Sequence, residues 1–121
     1  MNDLQDNLRD AGELAKRMVG HIDQALAAVD LAETQMHLRR AMLAGEEMEI
    51  LLADSAFESD EQEVTSNLEA GLSKLRQFFK QGIQALSGEP EVLAERIRTM
   101  KPVAVDAIEH IHKAGLPLGI A

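Results

Sequence analysis

Residues 4–53 read LQDNLRDAGELAKRMVGHIDQALAAVDLAETQMHLRRAMLAGEEMEILLA. Leu4, Leu8, Ala11, Ala15, Met18, Ile22, Ala25 and Val29 recur at steps of three and four, which lays one apolar stripe along a helix. Asp3, Asp6 and Asp10 stand near its amino end, where the helix dipole favours negative charge, and Asn2 is placed to cap it. Leu31, Leu38, Met42, Met48, Leu51 and Leu52 continue the helical character. Asp30 and Glu33 have the spacing of a capping box that starts a new helix. No Gly-Pro or Asn-Gly pair marks a turn there, however. Residues 3–53 therefore read as a hairpin bent near Asp30 or as one long helix, and the missing breaker tips the reading toward one long or gently kinked helix. Such a helix is roughly 75 Å long, whereas a compact chain of this size has a radius of gyration of about 14 Å. This reading implies an elongated molecule with a partner chain over the stripe.

Downstream, residues 54–60 (DSAFESD) read as a connecting loop, and Ser59 with Gln62 or Asp60 with Glu63 offers the next helix start. The helix expected over 60–87 carries Val64, Leu68, Leu72, Leu75, Phe79, Ile83 and Leu86. Gly71 and Gly82 lie beside that stripe, where a missing side chain lets another helix approach. If Phe79 is in the core with Leu75 and Ile83, Phe78, about 100° round the helix, is a contact for another chain; the alternative is one wide apolar face shared by both rings. Ser87-Gly88-Glu89-Pro90 ends this helix, with proline at the first turn of the next. Two short helices are expected over 90–100 and 102–114, separated at Pro102, with a glycine cap at Gly115 and an apolar tail over 115–121. The fold class is all-α: an elongated antiparallel bundle of four to five helices, one domain over 1–121.

Composition narrows the function. The chain has 121 residues, no Cys, Trp or Tyr, and three Phe. Disulfide scaffolds, cysteine metal sites and thiol catalysis are excluded. Direct nucleic-acid binding through a basic, aromatic-rich face is not expected. Much of the apolar content is Ala and Met, which build a thin and adaptable core, so a homo-oligomer, a dimer, is expected. No apolar run approaches the roughly 20 residues that cross a bilayer, and MNDLQDNLRD is no signal peptide. A cytoplasmic protein is expected.

The net charge of −9 is concentrated. No Lys or Arg occurs between Arg40 and Lys74, and Glu46, Glu47, Glu49, Asp54, Glu58, Asp60, Glu61, Glu63 and Glu69 fall in that gap. Closely spaced carboxylates on rigid helices attract a cationic partner over long range; the same belt also serves solubility alone. The expected function is a non-enzymatic interaction module: an adaptor, an assembly factor or a small inhibitor that binds a basic protein. In its sharpest form it imitates nucleic acid and inhibits a nucleic-acid-binding protein. Glu46, Glu47, Glu49, Glu58, Asp60, Glu61 and Glu63 supply the attraction, and Phe57 dry contact. No cofactor, resident metal or catalytic residue is assigned.

Two alternatives stand beside it. Glu109, His110 and His112 contain one Glu-x-x-His, which sets a carboxylate and an imidazole on one helix face as metal-binding bundles do. A di-iron site needs a second such motif, and Glu33 and His37 are four apart rather than three. Over a few residues, His110 with Lys113 resembles the His-x-x-Lys-Gly surroundings of histidine-phosphotransfer domains, with Ala114 in place of the glycine. That resemblance implies phosphate handling at His110. The other alternative is a coiled-coil subunit of a larger assembly, in which the stripes matter and the acidic belt does not.

Overall fold

The computed structural model describes residues 4–55 and 59–120, so the cap expected at Asn2 and the charge of Asp3 lie outside the described residues. Four α-helices account for most of them: α1 (Leu4–Ala27), α2 (Leu31–Ala53), α3 (Gln62–Ser87) and α4 (Leu93–Gly115). No strand occurs among the described residues. Two 3-10 turns, Pro90–Val92 and Leu116–Leu118, flank α4.

Each helix buries a seam that advances by alternating steps of four and three. In α1 it runs Leu4, Leu8, Ala11, Ala15, Met18, Ile22, Ala25, and in α4 Leu93, Ile97, Met100, Ala104, Ala107, Ile111, Ala114. In α2 it runs Thr34, Leu38, Ala41, Gly45, Met48, Leu52. The average step of 3.5 residues is the repeat that keeps one face on its neighbours along the length of supercoiled helices. The four seams merge into one core.

Cross-helix contacts fix the packing direction. Asn7 of α1 meets Ser55 just past the end of α2, and His21 of α1 meets His37 of α2. Glu49 meets Arg76 between α2 and α3, and Asn67 meets His110 between α3 and α4. Asp23 meets Lys101 across α1 and α4. Second contacts put Met42 against Gly82, Lys74 beside Asp106 and Gln5 beside Leu118, so rising numbers on one helix meet falling numbers on the next and neighbours are antiparallel. One end of the bundle holds the α1–α2 and α3–α4 connections. The other holds the start of α1, the α2–α3 connection and the tail, whose Leu118 carbonyl accepts from Gln5 Nε2 at 2.9 Å.

Three expectations are corrected. Residues 3–53 are not one long or gently kinked helix. The chain leaves helical geometry at Ala28–Asp30, where Val29 is fully exposed. The Asp30 side chain caps α2 by accepting from the Glu33 N–H at 2.8 Å. No Gly or Pro is needed, because folding back lets the α1 seam bury against the rest of its own chain; α1 therefore needs no partner chain over it. Second, 90–100 and 102–114 are not two helices, since α4 runs through Pro102. Proline removes one hydrogen bond to the carbonyl four residues back. Pro102 and Arg98 both lie on the exposed side, where that carbonyl stays hydrated and a bend is tolerated. Third, Gly115 is right-handed, and the left-handed glycine is Gly119 at φ 79°.

Candidate functional site

The acidic belt divides into two groups. Asp54 follows the last turn of α2, Asp60 and Glu61 lie in the connection, and Glu63 sits in the first turn of α3. All four are exposed at one end of the bundle, and none forms an ion pair among the described residues. Phe57 and Glu58 lie outside the described residues. The positive end of the α3 dipole supports the carboxylates of Glu61 and Glu63, and Ser59 Oγ accepts from the Glu61 N–H at 3.1 Å. The second group lies further up α2. Glu46 and Glu47 are exposed on its outer side. Glu49 turns toward α3 and is already engaged, 2.8 Å from Arg76 Nε. Glu69 is exposed along α3.

The structure sets the Glu-x-x-His pair of α4, Glu109 and His112, on one face and turns His110 away from it. His110 faces α3, with Nδ1 3.1 Å from Asn67 Oδ1 and Nε2 3.9 Å from Asp106. Glu109 and His112 instead line a groove of about 1050 Å³ between α1 and α4. Leu8, Ala15, Val19 and Ile111 form apolar wall of that groove. Among the described residues, no group of three or more His, Asp or Glu is placed to hold a metal ion.

Sequence reasoning missed a different pair. His21 and His37 stack between α1 and α2 with centroids 5.5 Å apart and Nδ1 atoms 3.2 Å apart. Burial pushes the His21 imidazole below its ordinary value, helped by the charges of His37 and Arg40 and opposed by a hydrogen bond that the ring donates to Gln24. The signal was present: His21 lies next to the α1 seam, one residue before Ile22. Because the unfolded chain takes up this proton more readily than the folded one, stability falls as pH drops through about 6.5 and levels off below the folded value. Urea titrations between about pH 7.5 and 5.5 test this; His21→Gln is expected to flatten the slope over that window.

Sequence reasoning also missed the outer side of α2. Leu43 and Ile50 are 54% and 71% exposed there, beside Arg39, Arg40, Glu46 and Glu47. The apolar pattern of α2 continues past the single face that a bundle helix needs, which is the available clue.

No protein-family model matches the chain, and neither a curated protein nor a solved structure matches it. The structure places the protein among all-helical proteins with four antiparallel packed helices. No helix among the described residues is long and apolar enough to cross a membrane.

Proposed function

We propose that the protein is a non-enzymatic interaction module, acting in the cytoplasm as an adaptor, assembly factor or small inhibitor, that binds a basic protein through the acidic end of its bundle. One observation supports this reading: Asp54, Asp60, Glu61 and Glu63 are exposed together, and among the described residues none of them forms an ion pair. The end of α2 and the first turn of α3 hold Asp54 and Glu63 in place, so these two need little further ordering on docking. The common field of the acidic group steers a cationic surface inward and is screened by salt. A nucleic-acid-binding protein is the sharpest candidate for the partner, with the carboxylates standing where phosphates would lie.

The test is a quantitative pull-down from native lysate with the wild type and an Asp54→Asn, Asp60→Asn, Glu61→Gln, Glu63→Gln variant. The wild type is expected to capture a basic protein that the variant loses and that rising salt releases. Losing two charges from the first turn of α3 costs up to about 1 kcal/mol each, so circular dichroism must show unchanged helicity. A partner captured equally by both proteins, at low and high salt alike, contradicts the reading.

A further inference from the structure

A bundle helix ordinarily carries one apolar face inward and polar residues outward. Helix α2 departs from this. Inward it presents Leu38, Ala41, Gly45, Met48 and Leu52. On the opposite side Met36, Leu43 and Ile50 repeat at seven-residue intervals, the last two largely open to solvent. An apolar outer stripe of this kind marks a surface that something covers.

The flanking charges say what. Arg39 and Arg40 precede Leu43 by four and three residues, and Glu46 and Glu47 follow it by three and four. All four are exposed, and none forms an ion pair among the described residues. The order of charge therefore inverts about Leu43. At 100° per residue, Arg39 and Glu46 flank the apolar stripe on one side, and Arg40 and Glu47 on the other. In a chain of net charge −9, these two cations and two anions of α2 cancel one another, with Asp10, Glu13 and Arg17 of α1 adjoining at Glu47 and Ile50.

We infer that the outer face of α2 is the interface with a second copy of this chain, docked antiparallel across a two-fold axis at Leu43. Such an axis reverses the helix and keeps each flank facing its own equivalent. Leu43 then meets Leu43 of the second copy, and Met36 meets Ile50. Arg39 comes level with Glu46 of the second copy, and Arg40 with Glu47, each within about 1.5 Å along the axis. A parallel docking instead sets Arg against Arg and Glu against Glu, so the charge order selects the antiparallel one. Asp54 lies about 16 Å from the axis on the side of the stripe, at the rim of the interface, whereas Asp60, Glu61 and Glu63 lie in the connection and on α3, off the docked face of α2. The inference therefore stands or falls separately from the proposed function.

Sedimentation velocity with purified chains tests it. The wild type is expected to show a mass that rises with concentration toward twice 13.3 kDa. Leu43→Glu, a change outside the core, is expected to hold the mass at one chain with helicity unchanged. An Arg39→Glu, Arg40→Glu variant and a Glu46→Arg, Glu47→Arg variant each face like charge and are expected to remain monomeric alone. Mixed in equal amounts, they are expected to form a heterodimer. An Asp60→Asn, Glu61→Gln, Glu63→Gln variant, altered only outside α2, is expected to dimerise as the wild type does. A wild type monomeric at every concentration overturns the inference. So does a dimer that survives Leu43→Glu, or a mixture of the two charge variants that stays monomeric.

Discussion

Phe78→Ala is expected to lower the unfolding free energy by about 3–5 kcal/mol, a large share of the roughly 5–15 kcal/mol that holds a domain of this size. Phe78 is 1% exposed and heads the fully buried side chains by volume. Its removal leaves a cavity among residues that helical backbones hold apart, so the site collapses only in part. Phe79→Ala is expected to cost clearly less, because its ring is only partly buried against the core. Urea denaturation of the two variants checks both values; equal losses, or a larger loss for Phe79, contradict the packing described.

This ordering reverses the one expected from the sequence, and the reason is instructive. Reading α3 by its largest apolar residues gives Leu68, Leu72, Leu75, Phe79 and Ile83. The buried seam is Val64, Leu68, Gly71, Leu75, Phe78, Gly82 and Ala85, with Leu72 beside it. Two of its positions are glycine, which contributes nothing to a hydrophobicity pattern. Ile83, expected in the core, is 49% exposed. Helix α1 was legible from Leu4 to Ala25 because its seam holds apolar side chains throughout.

The same glycines carry the second large effect. A Cβ on Gly71 would stand 2.8 Å from Ile111 Cγ1 and 3.2 Å from the Ala107 carbonyl oxygen. The second neighbour is backbone, so relief requires α3 and α4 to separate. A Cβ on Gly82 would stand 2.5 Å from Met42 Sδ and 2.9 Å from Met42 Cγ, too near the root of that side chain for its tip alone to give way. Overpacking of this kind costs about 1–3 kcal/mol, against a gain of up to about 1 kcal/mol for replacing helical glycine by alanine. Gly71→Ala and Gly82→Ala are therefore expected to destabilise. Gly12→Ala and Gly20→Ala, where a Cβ meets nothing within 4 Å, are expected to stabilise by up to about 1 kcal/mol each. Thermal denaturation of the four variants reads the sign directly. A gain at Gly71 or Gly82, or a loss at Gly12 or Gly20, places the helices differently from the structure.

The turn at Ala28–Asp30 was half legible. The capping pair Asp30 and Glu33 was visible, but a turn without Gly or Pro gives no local signal strong enough to override a continuous apolar pattern. Burial of both seams against one core decides it. The candidate site was legible as composition and not as geometry. The carboxylates were countable, yet only the three-dimensional arrangement separates Asp54, Asp60, Glu61 and Glu63 from Glu49, which Arg76 holds. The symmetric order of Arg39, Arg40, Glu46 and Glu47 about Leu43 gains meaning only once α2 has an outside.

All of these consequences depend on α1 folding back along α2. Glu13 and Glu47 line one shallow depression between the two helices. Because the chain has no Cys, a Glu13→Cys, Glu47→Cys variant carries spin labels at those two sites alone. Pulsed dipolar spectroscopy, with excess unlabelled chain to silence distances between copies, is expected to give a separation under roughly 25 Å, as suits labels on adjacent helices with axes 8–10 Å apart. A separation near roughly 50 Å, the rise of one unbroken helix between the same positions, would contradict the account.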